Sequence, residues 1–237
     1  MSKPRVVALV CSYWKSRIPH IQGIVDALKK GTVVPDKIVV LNNNKETNLS
    51  IDGAEVINSQ LNSRCRGKFV APLLDIPANY YLLLDDDTSV GLKTLECFLR
   101  HAHRGCVFGY LGVTLKNESF HYGGRYWPDK ITQVSPCDTF CGCGMFMAYD
   151  ALIRTMILEE RIRLGNEFGE WPHQGDDIII GLANKCETVP MQGDEKFVDL
   201  GYASEAMCWE DPNYYVMRDI FTKAVLRALE KYPIPQF

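Results

Sequence analysis

The 237-residue sequence lacks the long apolar stretches that membrane proteins need. A membrane-spanning helix takes about 18–20 consecutive apolar residues, and no run here approaches that length. The first five residues lead into only a short apolar segment, so a secretory signal peptide is not predicted. We therefore expect a cytoplasmic protein without a transmembrane segment.

The sequence also lacks an excess of positive charge. Its formal net charge is −3 and its pI is about 6.0. A protein that binds nucleic acid or an anionic membrane usually presents a basic field, and no such field is expected here. Nucleic acid is therefore not an expected partner, and any phosphate group must be bound locally.

Paired metal-binding cysteines are absent as well, although there are nine cysteines in total. The densest group, Cys137, Cys141 and Cys143, does not have the C-x2-C pairs typical of structural zinc sites. Buried free thiols in a reducing compartment are the favoured interpretation, with structural zinc as the alternative.

The usual glycine-rich phosphate-binding loops are missing too. Neither G-x-x-x-x-G-K-[ST] nor G-x-G-x-x-G occurs after the first predicted strand, where the sequence reads "CSYWKSRIP". This argues against a P-loop NTPase and against a dinucleotide-dependent dehydrogenase.

What is present is an alternation of apolar strands with amphipathic helices. Strands are predicted at "RVVALVCSYW", "DKIVVLNNN", "AEVINSQ" and "NYYLLLDDD", and helices at "IPHIQGIVDALKKG", "SRCRGKFVAPLLDI" and "LKTLECFLRHAHRG". Continuously apolar strands are typical of parallel sheets that helices cover on both faces. The predicted fold class is therefore α/β, with a mostly parallel central sheet.

The second half of the sequence has a different pattern. Strand-like segments interrupted by glycine predict a smaller antiparallel element, followed by a helix at about 151–164, a short helix after "GDD" and a closing helix. We expect one domain over residues 1–237, made of a half at 1–105 and a differently patterned half at 106–237.

Three predicted strands end in polar side chains, at Ser12–Tyr13, Asn42–Asn44 and Asp85–Asp87. Ligands of α/β sheets collect beyond the carboxyl ends of the strands. These three groups are therefore expected to converge on one crevice.

The three consecutive aspartates suggest a divalent metal. If the strand stays extended, Asp85 and Asp87 share one face and Asp86 points away. Two such carboxylates suit Mg²⁺ or Mn²⁺, completed by water and phosphate oxygens. The alternative is an acidic turn that caps the helix beginning near Gly91.

Together these motifs resemble the GT-A fold of nucleotide-sugar glycosyltransferases. The D-x-D at the end of the fourth strand follows two β-α units, and "GDD" at Gly175–Asp177 is similar to the E-D element of inverting members. "NSRCRGKFVAP" resembles their donor-contacting helix, and the likeness extends over roughly residues 5–185. The sequence is also similar to the small glycosyltransferases of large algal DNA viruses, which implies a viral protein acting in the host cytoplasm.

The resemblance implies roles for particular residues of the donor site. The residues expected to contact the nucleotide-sugar donor are Ser12, Tyr13, Asn43, Asn44, Arg64, Lys68, Asp85 and Asp86. Asp87 would ligate Mn²⁺ or Mg²⁺ together with Asp85. Arg64, Arg66 and Lys68 are equally compatible with solvated helix charges. The sequence departs from the family in one respect, because no obvious metal ligand follows His173.

The resemblance also implies that 1–105 is the nucleotide-binding half and 106–237 the acceptor-binding half, with roles for residues on the acceptor side. Asp177, or else Asp176, would be the general base that accepts the proton of the acceptor hydroxyl, which favours inversion. Both acids are also compatible with a helix N-cap. Trp171 would stack on an acceptor sugar, with a core tryptophan as the alternative.

The expected activity is metal-dependent transfer of a sugar from a nucleoside-diphosphate donor, with UDP favoured, to a hydroxyl of a glycan or glycoprotein. A sugar-1-phosphate nucleotidyltransferase is less favoured, because the loop after the first strand has no glycine. A phosphohydrolase would need more ligands on other strand ends. A non-catalytic carbohydrate-binding protein on the same fold remains an alternative.

Overall fold

The computed structural model describes residues 3–63, 67–70, 77–140, 144–164, 175–201 and 212–234. The strands in these ranges are β1 (Val6–Ser12), β2 (Lys37–Asn42), β3 (Glu55–Asn58), β4 (Tyr80–Asp85), β5 (Thr88–Val90), β6 (Cys106–Gly109), β7 (Gly112–Lys116), β8 (Ser119–Tyr126), β9 (Ser135–Cys137), β10 (Thr139–Phe140), β11 (Gly144–Ala148), β12 (Lys185–Thr188) and β13 (Phe197–Asp199). The α-helices are α1 (Ile18–Lys30), α2 (Gly67–Val70), α3 (Thr94–His101), α4 (Tyr149–Leu164), α5 (Asp176–Ala183) and α6 (Tyr214–Lys231).

A central sheet of eight strands has the order β3-β2-β1-β4-β11-β6-β12-β9. The first four positions are occupied by strands of the N-terminal half, and the pairings among these four strands are parallel. The apolar runs of β1, β2 and β4 are buried on both faces, as continuous apolar strands require, whereas the edge strand β3 is only partly buried. The predicted α/β class with a mostly parallel sheet is confirmed for this half.

The C-terminal half continues the same sheet rather than forming a separate one. Strand β11 is antiparallel to both β4 and β6, whereas β12 runs parallel to β6. Strands β10, β7 and β8 form a small antiparallel sheet, and β13 pairs with β5 in a two-stranded ribbon. The small sheet of β10, β7 and β8 matches the smaller antiparallel element predicted for the second half.

Helices cover both faces of the central sheet because each strand directs alternate residues to opposite sides. Val6, Ala8 and Val10 pack in one core cluster that includes residues of α1 and α3. Val7 and Leu9 pack on the other face, in a cluster that includes residues of α4. A third cluster joins α4, α5 and α6, so the closing helix packs beside the helix that follows "GDD".

Several predicted boundaries differ from the observed ones by a few residues. The helix predicted at 92–105 covers Thr94–His101, and the helix predicted at about 151–164 begins at Tyr149. Of the helix predicted after the third strand, the described part is Gly67–Val70. No helix in the described ranges is both long and apolar enough to cross a bilayer.

Candidate active site

The polar ends of the parallel strands lie side by side at the carboxyl edge of the sheet. Ser12 at the end of β1 is in register with Asn42 at the end of β2, and Cys11 is in register with Asp85 of β4. Neighbouring parallel strands bring their carboxyl ends to one edge. The expected convergence of the three polar groups is therefore observed.

The three aspartates do not continue the strand. β4 ends at Asp85, Asp86 and Asp87 form a turn, and β5 begins at Thr88. The extended geometry on which the two-face prediction depended is therefore absent after Asp85. Asp86 is buried, whereas the side chains of Asp85 and Asp87 are 33% and 22% exposed.

Arg17 holds the acidic turn from the end of a short 3-10 helix, Lys15–Arg17, that follows β1. Its Nη1 donates to Asp86 Oδ1 at 2.8 Å and to Asp87 Oδ2 at 3.0 Å. The other oxygen of Asp86 accepts a hydrogen bond from the Tyr13 backbone N–H at 3.0 Å. Asp86 therefore joins the ends of β1 and β4, and its carboxylate is occupied by protein groups.

Lys68 connects the two acidic motifs of the sequence. Its buried ammonium contacts Asp85 Oδ1 and also lies 2.8 Å from Asp176 Oδ2. Asp85 ends β4, whereas Asp176 is the first residue of α5. One side chain thus brings "DDD" and "GDD" into a common site.

The "GDD" motif is fixed under the closing helix. Gly175 has a φ of +151°, and a Cβ at this position would collide with the ring of Phe221 on α6, so glycine is required. Asp177 Oδ2 accepts a hydrogen bond from Arg218 Nη2 at 2.7 Å, in a pair whose side chains are 4% and 8% exposed. Thr139 Oγ1 donates to the Asp177 carbonyl at 2.8 Å.

These contacts give the carboxyl groups of the site different proton affinities. Burial raises the pKa of Asp85 to about 7, a rise that Lys68 opposes and that Asp87 and Asp176 increase. Burial also raises the pKa of Asp177, although Arg218 opposes it. Burial acts to raise the pKa of Asp176 as well, but Lys68, Arg218 and the Asp177 backbone N–H together outweigh burial, and the pKa lies below its usual value.

The ends of β1 and β2 form an adjacent polar wall. Ser12 Oγ is buried and has no hydrogen-bond partner among the described residues, whereas the side chain of Tyr13 is exposed. Asn44 Nδ2 donates to the Tyr13 carbonyl at 3.0 Å. Asn43 is buried, accepts a hydrogen bond from Ser63 Oγ and donates to Cys11 Sγ.

The residues present fit a divalent cation in charge and in ligand type. The two motifs contribute five carboxyl groups, and the cations paired with them in the described ranges are Arg17, Lys68 and Arg218. When all five groups are ionised, two negative charges are in excess. Carboxylate oxygens are the ligands that Mg²⁺ and Mn²⁺ prefer. No group of three potential ligand side chains occurs in the part of the chain that the structure describes. Phosphate and water oxygens would therefore have to supplement Asp85 and Asp87.

Some residues singled out from the sequence lie outside the described residues. They are Arg64 and Arg66 of the predicted donor-contacting segment, Cys141 and Cys143 of the cysteine group, Trp171, the predicted acceptor contact, and His173.

Sequence reasoning missed two cations of the site, Arg17 and Arg218. No local signal marks Arg17, because its partners lie 69 and 70 positions further along the chain. Arg218 has such a signal, since it lies three residues before Phe221 and seven before Val225, on the buried face of α6. A charge on an apolar helix face predicts a buried partner.

Two solved structures resemble this arrangement of strands and helices. GalNAc-T7 with UDP, GalNAc and Mn²⁺ superposes with a TM-score of 0.59 over 96% of this chain and 48% of its own, at 10% sequence identity. The mannosyltransferase PcManGT from Pyrobaculum calidifontis, in complex with GDP-Man and Mn²⁺, gives a TM-score of 0.53 over 97% of this chain and 75% of its own, at 16% identity. Both structures are GT-A glycosyltransferases.

The chain has the GT-A fold.

The GT-A fold was thus predicted correctly from the motifs and their order. The chain spans about half the length of GalNAc-T7 and about three quarters of the mannosyltransferase. Comparisons with protein-family models and with curated protein sequences give no match. The likeness is therefore one of fold, and the site residues must be argued from their own geometry.

Proposed function

We propose that this chain is a metal-dependent glycosyltransferase. It would transfer a sugar from a nucleoside-diphosphate donor, with UDP favoured, to a hydroxyl group of a glycan or glycoprotein, with inversion. The observation that supports this most directly is the meeting of "DDD" and "GDD" at Lys68, on the carboxyl edge of a GT-A sheet. A donor site and a proton acceptor are then within one crevice. The cytoplasmic location expected from the sequence belongs to the same proposal.

The nucleoside is assigned to the wall formed by β1 and β2. Ser12 Oγ is a buried hydroxyl without a partner among the described residues, so a ligand that bonds to it would remove a desolvation cost. The exposed ring of Tyr13 offers a stacking face to a base. Asn44 fixes the backbone of Tyr13, and Asn43 fixes the loop at Ser63, so both shape the wall.

The diphosphate is assigned to the acidic turn through a metal ion. Asp85 and Asp87 are the partly exposed carboxylates and would hold Mn²⁺ or Mg²⁺, whereas Asp86 positions the turn through Arg17 and Tyr13. When bound, the metal would neutralise the charge that develops on the leaving diphosphate. The two structural neighbours were solved with Mn²⁺ and with a uridine or guanosine nucleotide, which agrees with the metal and leaves the base open.

The general base is assigned to Asp177. Burial raises its pKa, so it is a stronger base than an exposed aspartate, and Arg218 and the Ile178 N–H fix its orientation. Asp176 is held by Lys68, and its pKa lies below the usual value, which makes it the weaker base. Trp171 stays the proposed acceptor contact and Arg64 a proposed donor contact.

The assignment is tested by nucleotide release and glycan transfer with UDP-, dTDP- and GDP-sugars in the presence of Mn²⁺. Asp177→Asn should retain donor binding and lose at least about 100-fold in transfer, because proton abstraction contributes about 10²–10⁴-fold. Asp52→Ala is the matched control, an exposed aspartate at the start of a surface turn. Transfer by Asp177→Asn at near wild-type rate would refute the assignment of the base.

A further inference from the structure

Lys68 occupies an unusual position between two carboxylates from distant elements. The Lys68 side chain is 4% exposed, and its ammonium contacts Asp85 Oδ1 and lies 2.8 Å from Asp176 Oδ2. Asp85 is also one of the two carboxylates assigned above to a divalent cation. The ammonium and that cation therefore share a ligand.

The backbone next to Lys68 is tightly packed against the sheet. A Cβ at Gly67 would collide with the Leu41 side chain of β2 and lie 2.7 Å from Ser63 Oγ. On the other side, Phe69 is fully buried in the core cluster that contains Val7 and Leu9. The base of the Lys68 side chain is thus fixed, and only its flexible end can shift between the two carboxylates.

Two like charges on one carboxylate repel each other, and the repulsion is strong where water is largely excluded. The ammonium would weaken cation binding at Asp85 if it had no second partner. Asp176 supplies that partner from α5. Asp176 allows the Lys68 ammonium to stay paired with a carboxylate when Asp85 binds another cation.

We propose that Lys68 is a positioning residue that acts as a transferable counter-ion. It neutralises Asp85 when the donor site is empty and is retained by Asp176 when a divalent cation binds to Asp85. This inference depends on the metal site of the proposed function. It assigns Asp176 a role in metal affinity without making it a metal ligand, and it couples the donor site to the helix that carries Asp177.

The test is a double-mutant cycle on the binding of Mn²⁺ alone, without nucleotide. Binding is measured as the loss of the electron paramagnetic resonance signal of free Mn²⁺. Lys68→Met should tighten Mn²⁺ binding about tenfold, because the competing ammonium is gone. Asp176→Asn should weaken it about tenfold, because the ammonium then loses the carboxylate that draws it away from Asp85. In the Lys68→Met background, Asp176→Asn should weaken Mn²⁺ binding only about threefold or less. This smaller effect reflects the loss of the negative charge of Asp176 itself.

Two controls separate this mechanism from general charge effects and from misfolding. Lys30→Met removes an exposed lysine at the far end of α1 and should leave Mn²⁺ binding unchanged. If Lys68→Met does not fold, Lys68→Gln takes its place in the cycle, because it removes the same charge and keeps a polar end between Asp85 and Asp176.

The outcomes distinguish this inference from the proposed function. Weaker Mn²⁺ binding by Lys68→Met, or an equal effect of Asp176→Asn in both backgrounds, would overturn the counter-ion role while the metal site stands. Absence of Mn²⁺ binding by the wild type, with or without UDP, dTDP or GDP, would overturn both.

Discussion

The ion pair between Asp177 and Arg218 allows one prediction to be worked out quantitatively. The two side chains are 8% and 4% exposed and their charged atoms are 2.7 Å apart. Replacing Arg218 by Met leaves a buried carboxylate without its cation. Removing one partner of a buried pair costs about 3–5 kcal/mol. In a chain of this size each kcal/mol changes the melting temperature by about 2–4 °C, so the loss should be roughly 10 °C.

The sign of the pH dependence follows from the same geometry. Burial raises the pKa of Asp177, and Arg218 opposes that rise. In Arg218→Met this opposition is lost, so the pKa of Asp177 should rise further. A carboxyl group whose folded pKa lies above its unfolded value destabilises the folded state progressively as pH rises through that interval. The deficit of Arg218→Met relative to wild type should therefore be largest near pH 8 and smallest near pH 5.

Differential scanning fluorimetry at pH 5 and pH 8 measures this effect. The matched control is Arg227→Met, an exposed arginine on the same helix, which should change the melting temperature by no more than about 2 °C. Adding Asp177→Asn to Arg218→Met should recover most of the loss at pH 8. An equal deficit at both pH values, or no recovery in the double variant, would refute the reasoning.

Three further predictions concern ligand binding. Asp87→Ala should weaken Mn²⁺-dependent nucleotide binding by more than the roughly 10–100-fold typical of outer-shell partners, and unchanged affinity in calorimetry would exclude Asp87 as a ligand. Tyr13→Ala should weaken nucleotide binding by about 1–3 kcal/mol whereas Tyr13→Phe should not, since the ring face and not the hydroxyl is used; equal affinities would place the base elsewhere. Because burial raises the pKa of Asp85 to about 7, protonation competes with the metal below that pH. Mn²⁺ affinity should therefore fall by up to about tenfold per pH unit below pH 6 and level off above pH 8, and a flat profile from pH 5 to 8 would argue against Asp85.

The parallel half of the fold could be predicted because its signals are local. β1, β2 and β4 are continuous apolar runs that end in polar residues, and that pattern alone places their ends at one edge of the sheet. The helix after "GDD" could likewise be predicted from its apolar sequence and two leading acids.

The detailed arrangement of the acidic turn could not be predicted in the same way. Whether the chain stays extended after Asp85 depends on Arg17, which holds both Asp86 and Asp87 from a 3-10 helix far earlier in the sequence. The bridge made by Lys68 is similarly non-local, because it joins the ends of β4 and α5. Composition and periodicity describe single elements, whereas these contacts depend on how elements pack together.

The most direct test of the proposed function is calorimetric titration of UDP, dTDP and GDP into the protein, first with Mn²⁺ and then with EDTA. The proposed metal-diphosphate site predicts tight binding of one nucleotide, with UDP favoured, and loss of that binding on chelation. Absence of binding by all three nucleotides, or binding that EDTA leaves unchanged, would contradict a metal-dependent donor site at the aspartates of β4.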